Sequence, residues 1–327
     1  LLAAAADRPD FYVTIGDDFS VDTLRTLDAN TVREPYLHQR YCLSLIGQSA
    51  PIFLVNGNHE QAAMCNLDGT ANNVAVWAQT ARNSLFPQPA EDAFYSGDAQ
   101  PVEHIGLLRD YYAWTWGDAL FVMIDPYWHS PVPVDNTLGS RDKGEKGGEG
   151  RDLWKVTLGD AQYQWLKTTL EQSTAKYKFV FAHHVMGTMR GGTDIADLYE
   201  WGGEDRDGIN RFAEQRPGWA MPIHQLFVRT GVTVFFQGHD HIFVHQQLDG
   251  VTYQTLPLPA DPYYKLYNDQ AYQSSDKLPG SGYTRVTVTP DKVTVSYIRQ
   301  YLPKDETADH KSGELAFSYT IAPRRGL

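Results

Sequence analysis

Four short apolar runs in this chain end in the same kind of chemistry. Phe11-Tyr-Val-Thr-Ile15 is followed by Gly16-Asp17, and Pro51-Ile-Phe-Leu-Val55 leads to Gly57-Asn58-His59-Glu60. Tyr177-Lys-Phe-Val-Phe-Ala182 ends in His183-His184, and Val232-Thr-Val-Phe-Phe236 runs into Gly238-His239-Asp240-His241. Short runs rich in β-branched and aromatic residues read as buried strands. Carboxylate, amide and imidazole groups at the carboxyl ends of strands are how open α/β sheets hold ligands and catalytic cations. A fold for this chain must therefore bring four distant strand ends together.

A fifth strand is expected near residues 119–124, with helical patterns between the strands. Glu34-Pro35 fits a helix start, running towards Gly47. Asn72 to Phe86 reads as a helix stopped by Pro87. Asp160 caps a helix through about Gln172, and Met221 to Thr230 forms another, ended by Gly231. Strands alternating with helices indicate an α/β sheet with crossovers. After residue 240 the pattern becomes antiparallel β, in 242–248, 251–256, 283–288, 292–298 and 314–321, with Asp249-Gly250 and Pro290-Asp291 as turns. The whole chain, 1–327, reads as a single domain with a β-rich C-terminal half over 242–327. The Gly-rich, charged stretch 139–151 reads as a surface loop rather than a lid. Arg190 to Asp207, directly after the His183 strand, is expected near the site mouth.

The chain has 327 residues, enough for a large core, with 21% charged and 13% aromatic residues, the profile of a globular protein. A net charge of −12 argues against nucleic acid as the main partner. No apolar run approaches the roughly 20 residues that span a bilayer. Cys42 and Cys65 are either a disulfide or two small buried residues, so cysteine usage leaves the compartment open.

Asp17 offers two oxygens and so can bridge two cations. Asn58 offers a neutral carbonyl oxygen, suited to a hard cation. His183 and His184 are adjacent, so one of them is expected to face a metal. His239 and His241 are two apart, which in extended chain puts both on one face.

In composition and order these motifs resemble the calcineurin-like metallophosphoesterases, hydrolases with a dinuclear metal centre. The resemblance covers roughly residues 10 to 245 and rests mainly on Gly-Asn-His-Glu together with Gly-His-X-His. It implies two mixed β-sheets packed face to face with helices outside. It implies that Asp17 bridges two metals, that Asn58, His183 and His239 complete one site, and that His241 joins the other. It implies that His59 is the general acid for the leaving group; Glu60 is expected to orient His59 or a metal ligand, and His184 to lie in the pocket or core. Mixed nitrogen and oxygen ligands suit Mn, Fe or Zn. Two such ions would polarise the phosphoryl oxygens and activate a bridging water for attack on phosphorus. The expected substrate is a small phosphate mono- or diester; the alternative is a non-catalytic scaffold of the same fold that binds a protein partner.

Three departures stand out. Val185 replaces a common Pro after His183. Ser20 stands where purple acid phosphatases carry Tyr, so no iron–tyrosinate colour is expected. The family's first Asp-X-His motif is absent before Asp17. The opening Leu1-Leu-Ala-Ala-Ala-Ala6 reads as the last turns of a helix, and an upstream strand ending in Asp-X-His is expected beside the Phe11 strand. Tyr263 and Tyr264, after the last motif, are expected to line the substrate cleft or to pack.

Overall fold

The computed structural model of the chain describes residues 1–134, 152–184, 190–273 and 276–324. The stretch 139–151 and Val185 lie outside the described residues. In chain order the elements are α1 (Leu2–Ala6), β1 (Tyr12–Thr14), α2 (Ala29–Gly47), β2 (Ile52–Leu54) and α3 (Val74–Leu85). Then come β3 (Ser96–Gly97), β4 (Pro101–Val102), β5 (Gly106–Leu107), β6 (Tyr112–Trp116), β7 (Ala119–Met123), α4 (Asp160–Gln172) and β8 (Tyr177–Phe181). The rest are α5 (Tyr199–Gly202), α6 (Phe212–Gln215), α7 (Ile223–Thr230), β9 (Val234–Gln237), β10 (Phe243–Leu248), β11 (Val251–Thr255), β12 (Asp276–Leu278), β13 (Gly282–Val288), β14 (Val293–Arg299) and β15 (Leu315–Ile321).

Eight strands form one mixed sheet in the order β12-β10-β11-β9-β8-β7-β6-β3. Its centre is parallel: Phe121 of β7 pairs with Phe179 of β8, and Phe179 with Val234 of β9. These strands are buried on both faces, which explains their nearly unbroken apolar sequences. One face packs on α4 and α7 through Leu166, Leu170, Leu226 and Phe227. The other meets a second β layer made of two pieces, the parallel pair β1–β2 and the antiparallel β13-β14-β15. Stacked rings line this interface: Phe53 of β2 lies 4.1 Å from Trp114 across it, and Trp114 lies 5.1 Å from Phe121 beside it in the large sheet. Outside β2, the helices α2 and α3 pack through Val32, Tyr36, Ala78 and Leu85. Helix, sheet, sheet and helix follow one another as layers, the arrangement expected from the motifs.

Several boundaries differ from the sequence reading. α2 starts at Ala29, ahead of Glu34-Pro35, because Asp28 and Thr31 form a reciprocal capping box: Asp28 Oδ1 accepts from the Asn30 and Thr31 amides, both at 2.9 Å. Pro35 then lies inside the helix, where it forgoes one intrahelical bond. Asp160 is the first residue of α4, after Gly159 at its cap, and its Oδ1 accepts from the Trp219 indole at 2.7 Å. The strand β6 was not foreseen. It joins β7 through the two residues Gly117-Asp118, with Trp116 opposite Ala119, and Gly117 takes φ +58. That two-residue link between aromatic runs was the available hairpin signal. The C-terminal strands do not stand together as one β unit: β10, β11 and β12 extend the large sheet, and β11 pairs parallel to β9. Both cysteines are free and half-buried. Among the described residues no helix is long and apolar enough to cross a membrane.

The N-terminus of α3 provides a stability test. Asn73 Oδ1 accepts from the Ala75 and Val76 amides at 3.0 and 3.2 Å, while its Nδ2 donates to Thr70 O at 2.7 Å. Asn73→Ala is expected to cost about 1–2 kcal/mol. Urea denaturation should show a lower midpoint with an unchanged slope; an unchanged midpoint would mean that the cap contributes nothing.

Candidate metal centre

The turns after β1 and β2 touch backbone to backbone. A Cβ on Gly16 would lie 2.5 Å from the Gly57 nitrogen, and one on Gly57 would lie 2.2 Å from Asp17 Oδ1. Any side chain at either position would drive the two turns apart. Glu60 fastens them further. Its Oε2 accepts from Gly57 N at 2.8 Å and its Oε1 from Asp18 N at 3.2 Å. Burial pushes the Glu60 carboxyl well above its ordinary range, and the nearby Asp17 and Asp18 charges add to this. Tyr36 of α2 donates to Glu60 O at 3.2 Å. Asp17, His239 and His241 all take left-handed backbone, with φ +57, +67 and +63. Non-glycine residues pay for that conformation, and it collects at functional sites.

These turns bring four expected ligands to one buried point. Asp17 Oδ2 lies 2.8 Å from His183 Nε2. His239 Nδ1 lies 3.3 Å from that same Nε2 and 3.1 Å from Asn58 Oδ1. His183 Nδ1 faces Ile15 O at 2.7 Å, which makes it the ring's donor and leaves Nε2 with a lone pair in the neutral tautomer. That lone pair points at a carboxylate oxygen. Acceptor against acceptor at 2.8 Å requires a cation between them, a proton or a metal ion.

Several further observations fit a metal at this point. Burial, the neighbouring His184 and the Arg190 charge hold His239 well below the ordinary imidazole range, so its ring is neutral as ligation requires. Burial and the His183 charge do the same to His184. The outer nitrogens of both rings, His184 Nε2 and His239 Nε2, are buried without a hydrogen-bond partner. The rings stack 4.4 Å apart. His183, His184 and His239 each place a nitrogen within 4.8 Å of the others, a spacing able to hold an ion. Without metal, burial would raise the Asp17 pKa, but the His183 and His59 charges outweigh it and hold the group below its ordinary range. His183 is buried too, yet the Asp17 carboxylate holds it above its ordinary value. The donor set of carboxylate, amide oxygen and imidazoles suits a borderline to hard divalent ion.

His59 stands at the mouth, its side chain 25% exposed, with Nε2 4.0 Å from Asp17 Oδ2. Its amide donates to Asp17 Oδ1 at 2.9 Å, and Nδ1 meets Asp22 Oδ2 at 2.9 Å. Asp22, which has no motif around it, is thus the carboxylate on His59, while Glu60 holds the turns. His241 lies outside the tight group, its ring 6.0 Å from that of Tyr267. Tyr263 is 69% exposed, with Lys265 over its ring. The Tyr264 hydroxyl accepts from the Leu302 amide at 2.8 Å and donates to Asp305 at 3.0 Å. Tyr264→Phe is accordingly expected to lower the melting temperature while leaving KM unchanged; a changed KM at full stability would return it to the cleft.

Sequence reasoning missed three supports. The Tyr127 hydroxyl lies 3.1 Å from His184 Nδ1. Arg190 Nη1 donates to His239 O and to Asp240 Oδ1, both at 2.6 Å. Tyr272 donates to the other Asp240 oxygen. The available signals were the buried Asp between the paired histidines and the placement of Arg190 in the stretch expected at the site mouth.

A layered α/β sandwich with a histidine–carboxylate–amide cluster at its strand ends is the layout of the metallophosphoesterases. The sequence profile of the calcineurin-like phosphoesterases matches residues 1–243, and the chain belongs to that family. No curated protein matches significantly. Among solved structures, the purple acid phosphatase PPD1 from yellow lupin seeds aligns with a TM-score of 0.53 at 15% identity, over 98% of this chain and 48% of that one. This chain thus spans about half the length of the lupin enzyme. GAP50, described as the anchor in the inner membrane complex of Plasmodium, aligns at 0.45 and 11% identity, over 98% of this chain and 81% of that one.

Proposed function

We propose that this chain hydrolyses phosphate esters of small molecules with metal ions held at the strand-end cluster. The observation that carries the reading is the buried meeting of Asp17 Oδ2, Asn58 Oδ1, His183 Nε2 and His239 Nδ1 beside a half-exposed His59. Asp17, Asn58, His183 and His239 would hold one ion, with His184 close by; Asp17 and His241 would serve a second. Mn, Fe or Zn there supplies Lewis acidity towards phosphoryl oxygens and a more acidic water.

The chain's own residues do the rest. His183 is fixed in one tautomer by Ile15 O, so its lone pair is aimed before any ligand arrives. His59, protonated, gives its proton to the departing alkoxide, and Asp22 holds the ring for that transfer. Exposure of the His59 ring is consistent with this, because a leaving group must reach it from solvent. The net charge of −12 disfavours polyanionic nucleic acid and leaves small esters.

Chelator-treated protein should be inactive on an aryl phosphate and regain activity with Mn. A parallel bis-aryl diester would separate monoesterase from diesterase. Activity indifferent to chelation would overturn the metal reading. Tight metal binding with no turnover on either ester would favour a scaffold.

A further inference from the structure

The turn after β7, Asp125-Pro-Tyr-Trp128, has no part in the chemistry described so far. β7 and β8 are parallel neighbours, with Met123 opposite Phe181, so this turn leaves the sheet beside His183-His184. Both backbone groups of Tyr127 are held. Its amide donates to Asp125 Oδ1 at 2.6 Å, and its carbonyl accepts from the Met64 amide at 2.9 Å. Asp125 is held in turn, because its Oδ2 accepts from Asn56 Nδ2 at 2.6 Å, just before Gly57. This bracing sets the Tyr127 hydroxyl 3.1 Å from His184 Nδ1.

His184 then repeats the pattern of His183. In His183, Nδ1 faces an oxygen, that of Ile15, and Nε2 meets Asp17 Oδ2. In His184, Nδ1 faces the Tyr127 oxygen, and a ring that donates its proton there keeps its lone pair on Nε2. That Nε2 is buried without a hydrogen-bond partner, in a residue only 3% exposed. His239 is stacked on the same ring, with 4.4 Å between centroids and 24° between planes, and its Nε2 is orphaned as well. A histidine kept only to fill the core would leave a buried polar atom unmatched, a cost that an apolar side chain there avoids. One ring nitrogen on an oxygen partner and the other open is the arrangement of an imidazole that ligates metal.

We propose that His184 is itself a metal ligand, through Nε2, and that Tyr127 is the residue that positions its ring. His183, His184 and His239, which each place a nitrogen within 4.8 Å of the others, then share one ion. This rests on the metal reading of the strand-end cluster and not on ester hydrolysis. A third imidazole makes the position richer in nitrogen than Asp17, Asn58, His183 and His239 alone, which moves its preference from Mn towards Zn. A water bonded to both orphaned nitrogens is the rival occupant.

The probes are Zn and Mn, each added to chelator-stripped protein in competition with a chromophoric chelator. His184→Phe keeps a flat ring against His239 and removes the nitrogens; His184→Ala is the second variant, and circular dichroism shows which of them is folded. Loss of the ligand should weaken Zn binding by more than about 100-fold, beyond the usual effect of losing a ligand's outer partner, and weaken Mn binding less. X-ray absorption at the Zn edge should count one imidazole fewer than in the parent. Tyr127→Phe should weaken Zn binding by roughly 10–100-fold with the imidazole count unchanged, as expected of a residue that acts through the ring. Zn affinity and imidazole count equal to the parent's in a folded His184 variant would overturn the proposal and give the nitrogens to a water. Equal Zn affinity in Tyr127→Phe would overturn the role of Tyr127. A parent that takes up no metal would overturn the metal reading together with this one. A parent that binds Zn through His184 but turns over no ester would uphold this proposal and overturn the hydrolase alone.

Discussion

His239→Ala is expected to abolish turnover and tight metal uptake together. The ring it removes is the one nitrogen within hydrogen-bond range of both Asn58 Oδ1 and His183 Nε2 in this cluster. The Asn58 oxygen and the His183 lone pair then face a hole instead of a third donor. Loss of an outer partner of a ligand costs roughly 10–100-fold in affinity or activity; loss of a ligand itself should exceed that. Stability should suffer less, because Arg190 holds the loop through the His239 carbonyl and Asp240, neither of which the substitution touches. Metal content per chain and initial rate, measured on protein shown to be folded, should fall in step. A rate equal to the parent's would remove the Gly-His-X-His segment from the mechanism.

His59→Ala should separate the same two quantities. The His59 ring meets Asp22 Oδ2 at 2.9 Å and stands 4.0 Å from Asp17 Oδ2. Metal content should stay, while the rate drops by roughly 10²–10⁴-fold, the usual range for a positioned acid. The loss should grow with the basicity of the leaving alkoxide, since a poor leaving group depends most on the donated proton. Plotting log rate against leaving-group pKa should therefore give a steeper negative slope for the variant. Asp22→Asn should shift the rate in the same direction by less, because the proton donor remains and only its holder weakens. Equal slopes for parent and variant would mean that His59 is not the acid.

How much of this was legible before folding depended on range. The central strands were plain because burial on both faces leaves them continuously apolar. The strand-end residues proposed as ligands were plain because glycine beside a polar residue marks a tight turn wherever backbones meet, as Gly16 and Gly57 do. The partners of those ligands were hidden. Asp22 meets His59 across 37 positions, Tyr127 meets His184 across 57, and Arg190 meets Asp240 across 50, with no local pattern to announce them. Within the tyrosine segment, proximity to the last motif pointed to Tyr263 and Tyr264 and passed over Tyr267, whose ring lies 6.0 Å from that of His241. The antiparallel look of the C-terminal region concealed the parallel pairing of β11 with β9, because strand alternation does not encode the neighbour's direction.

The long reach of the cluster also bears on when its chemistry appears. Two of its contacts join residues 168 positions apart, at His183 and Ile15, and 181 apart, at His239 and Asn58. Contacts this distant form only after much loop-closure entropy has been spent, late in the acquisition of order. A chain halted with its hairpins made and its central strands unpaired carries Asp17, Asn58, His183 and His239 but no centre. The proposed reactivity towards phosphate esters would thus come with the last strand-end contacts, and recovery of activity during refolding would measure completion where helix content measures only the beginning.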